Sequence, residues 1–203
     1  MKRLSLCIIL TGLLAAGCTH PMQFSEISPK ISQYHPKSVV ILPFTNTIGF
    51  DLANDSANMK LFQGLSKAGA FDRIADAGQV KAFMFQHPGA IDVITKFHNT
   101  WVATGMFDPR YSAWIGKAFN ADTIIFGEVT AWNETETPRN HIYNAGLAMR
   151  WVEAASGDVL WKAAESEQIL AANPCIFDCS SPDHVMDNVV AMVMENWPGQ
   201  KAK

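Results

Sequence analysis

Residues 121–129, Ala-Asp-Thr-Ile-Ile-Phe-Gly-Glu-Val, contain an apolar run in which polar side chains do not alternate with apolar ones. A second such run, Val39-Val40-Ile41-Leu42, ends at Pro43. Strands that are apolar on both faces are typical of the centre of a sheet with helices on each side. The two runs therefore predict two central, buried strands of an α/β protein.

Helical patterns separate and follow these strands. Apolar side chains recur at helical spacing from Met59, and further helices are predicted from about Ala77 to Gln86 and between Gly89 and Gly105. Asp108-Pro109 and Ser181-Pro182 each combine a capping side chain with proline at the first helical position, which predicts two more helix starts.

The C-terminal half predicts a hairpin. Residues 143–151 alternate apolar and polar side chains, Ser156-Gly157-Asp158 can form a turn, and a strand from Val159 to about Leu170 would return antiparallel. The predicted fold class is α/β: a two-layer or three-layer sandwich with a mixed β-sheet, flanking helices, and a C-terminal β-hairpin plus helix.

The N-terminus is typical of a bacterial lipoprotein signal. Lys2-Arg3 precede an apolar stretch, Leu4 to Ala16, that is too short to span a bilayer, and Leu14-Ala15-Ala16-Gly17-Cys18 ends at a cysteine that can be lipidated. We expect residues 1–17 to be a signal peptide and Cys18 to carry acyl chains, palmitate among them. An ordinary secretory signal with a chance cysteine is the alternative.

The rest of the chain is predicted to be one domain on a tether. Residues 18–36 are polar, contain three prolines and show no periodicity, so we expect a lipidated N-terminus and a flexible tether. Residues 37–203 are enough for a single α/β domain with a substantial core. Thr19 is not the aspartate that marks inner-membrane retention in many enterobacterial lipoproteins. The expected location is therefore the periplasmic face of the outer membrane of a Gram-negative bacterium.

The cysteines suit an oxidising compartment. Of the four, Cys7 leaves with the signal and Cys18 is used for lipid, so Cys175 and Cys179 remain. They are expected to form a short-loop disulfide. A redox-active pair, a metal site that includes His184, and free thiols are the alternatives.

Composition and motifs argue against several function classes. The chain has 16 basic and 19 acidic residues and no basic cluster, so no nucleic-acid partner is predicted. With 48% hydrophobic and 17% charged residues it should fold rather than be disordered. It has no Gly-rich phosphate loop, no His-x-x-x-His and no Gly-x-Ser-x-Gly, and its histidines are scattered. We therefore predict no catalytic residues, no metal and no cofactor, and hence no enzyme.

Three segments together resemble a known group of proteins: Val39–Asn46, Ala121–Val129 and Ser156–Trp161. They occur in the order and spacing of periplasmic lipoproteins related to the curli-export protein CsgG, a group that includes PelC, the penicillin-binding-protein activator LpoB and a neisserial surface-lipoprotein family. The resemblance covers most of the mature domain. It implies a shared α/β fold and a role as an outer-membrane assembly, export or activator subunit, in several relatives as a ring.

Two features refine what the resemblance implies. No stretch offers the two long membrane-inserting hairpins of curli-export proteins, so this chain is not expected to form a pore alone. Trp132 occupies a place where polysaccharide-export members tend to carry tryptophan, which makes it a candidate contact residue. Packing of Trp132 at the sheet end is the alternative.

The expected function is that of a noncatalytic outer-membrane lipoprotein, a scaffold or accessory subunit in export or assembly of an envelope structure. The alternative is a glycan- or peptidoglycan-binding module, or an activator of a cell-wall synthase. The expected partners are the membrane, through the N-terminal lipid, an envelope protein complex, and further copies of the chain in a homo-oligomer. A monomer that touches one partner through a single face is the alternative. Candidate contacts are the polar loop from Thr45 to Ser56 and the hairpin tip from Asn133 to Asn140.

Overall fold

The protein is described by a computed structural model that covers residues 23–46, 49–172 and 180–199. Within these residues, five α-helices surround a seven-stranded mixed sheet with the strand order β1-β7-β6-β5-β2-β4, and β3 pairs with β5. The strands are β1 Phe24–Ile27, β2 Ser38–Ile41, β3 Thr45–Asn46, β4 Arg73–Ala75, β5 Thr123–Glu136, β6 Asn140–Glu153 and β7 Val159–Ala172. The helices are α1 Asp51–Ala68, α2 Ala77–Gln86, α3 Pro88–Thr104, α4 Pro109–Phe119 and α5 Pro182–Glu195.

The sheet lies between two layers of helices. On one face, α1 and α5 pack with the sheet to form the first core cluster, which includes Leu61, Leu147 and Val189. On the other face, α2, α3 and α4 form the second core cluster, which includes Val80, Phe97 and Ile115. The α/β sandwich with a mixed sheet that the sequence predicts is confirmed, in its three-layer form.

The two apolar runs are the buried parallel strands at the centre. β2 pairs in parallel with both β4 and β5, and all four β2 side chains are buried. Along β2, Val39 and Ile41 belong to the first cluster and Val40 to the second. Because successive side chains point to opposite faces, a strand with a cluster on each side needs apolar residues at consecutive positions, as from Val39 to Ile41.

Three tryptophans fix α5 to the sheet. The Trp197 ring, just beyond α5, lies 4.6 Å from that of Trp151 on β6 and 5.1 Å from that of Trp161 on β7, measured between ring centres. All three are buried. At the other end of α5, Asp183 accepts a hydrogen bond from Ser56, and Lys60 pairs with Asp183, which joins α5 to α1.

The tether predicted for residues 18–36 is wrong for the part that the structure describes. β1 pairs antiparallel with β7, and Trp161 Nε1 donates a hydrogen bond to Ser25 Oγ at 2.9 Å. A 3-10 helix, Pro29–Gln33, follows, and Tyr34 packs against the first cluster. All four β1 side chains are exposed, so the strand carries no burial pattern in its sequence; the edge of β7 supplies its backbone partners.

The predicted polar loop from Thr45 to Ser56 is also largely regular structure. β3 occupies Thr45–Asn46, and α1 begins at Asp51, about two turns before the apolar spacing starts. Asp51 lies in the first helical turn, where a carboxylate interacts favourably with the helix dipole. Gly69 ends α1 in the left-handed conformation, at a φ of 59°.

One carboxylate joins the start of β2 to the start of β5. Asp122 Oδ2 accepts hydrogen bonds from the backbone N–H of Lys37 at 2.9 Å and from the backbone N–H and the hydroxyl of Ser38, both at 3.0 Å. Partial burial alone would raise the pKa of Asp122, but these hydrogen bonds favour the ionised form and hold its pKa below the ordinary value. Asp122 thus stabilises the parallel pairing at the centre of the sheet.

Replacing Asp122 with asparagine should lower the free energy of unfolding by about 2 kcal/mol at neutral pH, because hydrogen bonds to a charged group contribute about 1.5–3 kcal/mol. Since the pKa of Asp122 is lower in the folded than in the unfolded state, its contribution is complete above about pH 4 and is lost as the pH falls through the folded-state value. Denaturant unfolding at neutral pH and at about pH 3 measures both effects.

Asp72→Asn, at an exposed position near β4, is the matched control and should change little at either pH. An effect of Asp122→Asn that did not shrink in acid would contradict this role for the ionised carboxylate.

Candidate interaction surfaces

The strands β5, β6 and β7 form an antiparallel meander whose far part we call the arm: residues 131–146 and 166–172. Each strand has 14 residues. One face of the arm packs with the first core cluster, through Tyr143 and Ala145. The other face contributes no residue to the second cluster. The arm therefore has one core-facing side and one side that the described helices leave outside the core.

A row of three amides crosses the outer face of the arm. Asn133 pairs in register with Asn144, and Asn144 with Gln168. Gln168 Nε2 donates a hydrogen bond to Asn144 Oδ1 at 2.9 Å, and next to this row Gln23 Nε2 donates one to Ser166 Oγ at 2.7 Å. A shallow cleft of about 400 Å³, which we call the amide groove, is lined by Gln23, Ala131, Asn133, Asn144, Ala145, Ser166, Glu167 and Gln168.

Gly146 lies next to the amide groove, at a point where the neighbouring strands approach closely. A β-bulge shifts the register between Val129 and Ala131, so that an extra residue, Thr130, lies beside the row that holds Gly146. A Cβ atom on Gly146 would lie 2.6 Å from Thr130 Oγ1 and 3.1 Å from Ser166 Cβ. A larger residue would therefore displace the neighbouring strands.

The amide groove presents mainly neutral hydrogen-bonding groups, together with one carboxylate, Glu167. An amide side chain offers both donors and an acceptor, which suits hydroxyl and acetamido groups of a sugar or the backbone of a peptide. Gln23, Asn133, Asn144 and Gln168 can reorient at the surface without breaking the core. Such a surface can bind a polar chain.

Trp132 lies on the opposite face from the amides. It pairs in register with Ala145 and packs, partly buried, against the first core cluster. The tryptophan and the amide groove therefore do not form one site. Trp132 is packed at the end of the sheet. A role for Trp132 as a contact residue remains a prediction.

A charged cluster lies near the tip of the arm, on the same face as Trp132. His141 Nδ1 is 3.0 Å from Glu134 Oε1, and His141 Nε2 is 3.8 Å from Glu136 Oε1. The rings of His141 and Tyr143 are nearly parallel, with centres 6.0 Å apart. Burial raises the pKa of Tyr143, and the carboxylate of Glu134 adds to the effect. Within the described ranges, no group of three or more His, Cys, Asp or Glu side chains is arranged to hold a metal ion.

The other histidines that the sequence offers are separated from one another. His87 stacks on Phe83 with ring centres 4.2 Å apart, and His98 contacts Phe126 edge-on at 5.0 Å. His98 also lines a small, mostly apolar cavity of about 140 Å³ with Leu42, Pro43, Thr45, Ile94, Thr95, Phe97 and Phe126. Ring contacts therefore hold both His87 and His98 in place.

The predicted cysteine sites lie outside the described residues. Cys18, Cys175 and Cys179 fall in segments 1–22 and 173–179. Lipidation and the disulfide therefore stay predictions. In the described part of the chain, no helix has the length and apolar character needed to cross a bilayer.

Comparison with solved structures finds similar folds at low sequence identity. The PelC dodecamer from Paraburkholderia phytofirmans aligns with a TM-score of 0.56 and 16% identity, over 89% of this chain and 97% of that chain. A single-substitution variant of it aligns with a TM-score of 0.55 and 16% identity, over 88% and 98%. The fold is similar to that of PelC. The resemblance that the sequence motifs indicate is thereby confirmed at the level of the fold.

Lipoprotein GNA1162 from Neisseria meningitidis aligns with a TM-score of 0.48 and 16% identity, over 79% of this chain and 96% of that chain. No protein-family model and no curated protein matches the sequence.

Replacing Trp132 with alanine should lower the free energy of unfolding by about 2 kcal/mol, since a partly buried indole contributes part of the 3–5 kcal/mol typical of a fully buried one. Leu170→Ala, an exposed apolar position on the opposite face of the arm, is the control and should change it by less than about 0.5 kcal/mol. Chemical denaturation measures both. Unfolding of Trp132→Ala at the wild-type midpoint would show that Trp132 is not part of the core.

Proposed function

We propose that this protein is a noncatalytic, lipid-anchored accessory subunit in the export or assembly of an envelope structure. The observation that carries the proposal is the lipidation motif ending at Cys18, placed before a domain whose fold is similar to that of PelC. The scattered histidines and the amide groove also suit a protein that acts by contact. Its partners would be components of an envelope complex.

The anchor would be acyl chains on Cys18. Each buried CH₂ contributes about 0.8 kcal/mol, so two or more chains hold a protein at a membrane almost irreversibly. With Thr19 in the sorting position, the protein would remain on the periplasmic face of the outer membrane. In that oxidising compartment Cys175 and Cys179 would form a disulfide.

A homo-oligomer is part of the proposal. The similar structure of PelC is a dodecamer. A domain without a catalytic centre can act by repeating one contact surface around a partner, and closed symmetric assemblies are the common outcome.

Cys18→Ala should move the protein from the outer-membrane fraction to the soluble periplasm and remove the acylated N-terminal peptide from the mass spectrum. The reason is that the thiol of Cys18 is the group that takes the lipid. Detergent-extracted wild-type protein should have a mass above that of the monomer by light scattering.

Cys7→Ala, inside the predicted signal, is the matched control and should leave anchoring unchanged. If Cys18→Ala stayed in the membrane with an unaltered N-terminus, the anchor would be elsewhere. A strictly monomeric extract without crosslinked partners would count against a subunit of an assembly.

A second candidate function is glycan binding, and the amide groove is the observation that favours it. Its lining includes four uncharged amide side chains beside small residues, with room for part of a polar chain. Because Trp132 lies on the other face, a bound sugar would be held by hydrogen bonds rather than by stacking on that indole.

Removing amides should therefore weaken binding of soluble peptidoglycan fragments. Asn144→Ala combined with Gln168→Ala should lower the affinity by about tenfold or more, since each lost hydrogen bond contributes about 1 kcal/mol and 1.4 kcal/mol is a factor of ten. Titration calorimetry on the lipid-free domain provides the measurement.

Gln63→Ala, an exposed amide on α1, is the matched control, and Trp132→Ala tests the opposite face. Loss of binding with Trp132→Ala in a folded protein, and not with the groove variant, would place the glycan on the tryptophan face instead. No binding by the wild type would remove this second function.

A further inference from the structure

Arg150 on β6 has a guanidinium group that the domain partly buries without pairing it. Its Cζ atom lies 4.5 Å from the centre of the Trp101 ring on α3. Arg150 Nε is buried and, in the part of the chain that the structure describes, has no hydrogen-bond partner. Burial lowers the pKa of Arg150, and the carboxylate of Glu128 offsets part of this effect without forming an ion pair. Because arginine stays charged in proteins, this cation lacks the hydrogen-bonded anion that burial ordinarily requires.

An aromatic stack holds this guanidinium in place. The Trp101 ring stacks on that of Phe107 with centres 4.7 Å apart, and Phe107 stacks on Phe97 at 4.4 Å. Phe97 and Phe107 are buried in the second core cluster, so the indole that contacts Arg150 is fixed by the core. Stacking on an indole leaves the edge of a guanidinium for hydrogen bonds in its plane, and two parallel N–H groups there fit a carboxylate.

Arg150 lies on the same face of the meander as the amide groove. Six residues separate it from Asn144 on β6, which is about 20 Å along the strand. The four residues between the two sites on this face of β6 and β7 are small and form two register pairs. We call them the outer track: Gly146, Ala148, Ala164 and Ser166. Small side chains leave room for an extended chain to lie between the amides and the guanidinium.

The side chains around the outer track suit a sugar along it and an acidic group at one end. Phe24 on β1 lies opposite the track and is 47% exposed, so its ring is available to the face of a sugar. Beside Arg150, Lys162 is already paired with Glu26, with Nζ and Oε2 3.0 Å apart. The carboxylate of Glu167 lines the amide groove at the other end. A negative charge on a bound chain is therefore repelled at the groove and attracted at Arg150.

We propose that Arg150 binds a carboxylate of an acidic glycan, a chain that contains uronic acid, which lies along the outer track from the amide groove. The inference rests on glycan binding at the amide groove, the second function put forward above, and names the chemical class of that glycan. The negative charge of Glu128 near Arg150 favours a singly charged carboxylate over a doubly charged phosphate.

A matched pair of ligands tests the role of the charge. The probe is a galacturonate oligomer long enough to span the outer track, and its methyl ester has the same sugar chain without the negative charges. Titration calorimetry measures the affinity of the full-length protein in detergent for both ligands, in the wild type, Arg150→Gln and Arg150→Lys. Arg139→Gln is the matched control, because Arg139 is an exposed arginine in the turn between β5 and β6. Thermal unfolding checks that each variant is folded.

The wild type should bind the acid about tenfold or more tightly than the ester, because a hydrogen bond to a charged group contributes at least that factor. Arg150→Gln should abolish this preference and leave the affinity for the ester nearly unchanged. Arg150→Lys should recover only part of it, since an ammonium group cannot bind a carboxylate through two parallel N–H groups. Arg139→Gln should behave like the wild type.

Equal affinity of the wild type for the acid and the ester would overturn the acidic specificity and leave glycan binding in place. A preference for the acid that persists in Arg150→Gln, or that Arg139→Gln removes, would overturn the role of Arg150. Binding of neither ligand would overturn this inference, while the peptidoglycan titration above tests the groove separately. The comparison of ligands needs only the wild type, so the test does not depend on the folding of Arg150→Gln.

Discussion

Burial of β2 and β5 on both faces is the constraint on which the rest of the structure depends. Val40 and Ile124 face one cluster, and Ile41 and Ile125 face the other, so helices are needed on each side of the sheet. The helices are shorter than the strands: even α1, with 18 residues, is only about 27 Å long, whereas the 14-residue strands of the meander span about 46 Å. The strands must extend beyond their helical cover, and the arm is the result.

Signals carried by a few adjacent residues predict the central strands and several helices well. The Asp108-Pro109 and Ser181-Pro182 pairs give correct starts for α4 and α5, because capping and a proline at the first helical position are local properties. The same kind of reasoning misses β1, since Phe24–Ile27 has no buried side chain and depends on a partner more than 130 residues away. It also misses the start of α1, where tertiary packing extends the helix into a polar stretch.

The candidate site depends on information that spacing does not carry. The alternation in β6 shows that Asn144 and Gly146 share a face, but not that Asn133 and Gln168 lie beside Asn144. If side chains alternated strictly between the two faces of β5 from Val129 onward, Trp132 would lie on the face that carries Asn144 and Gln168. The bulge between Val129 and Ala131 reverses this, so Trp132 packs with the core. The register of three strands, and not any single motif, creates the amide groove.

The position of the β-bulge beside Gly146 decides which chemistry the outer face of the arm presents. The absence of a side chain at Gly146 leaves room for the side chains of both Thr130 and Ala131 at the point where β5 bulges. If the extra residue were accommodated nearer the tip, beyond Asn133, the indole of Trp132 would join the amides and Asn133 would turn toward the core. The position of one extra residue thus separates a hydrogen-bonding surface from an aromatic one on the same strands.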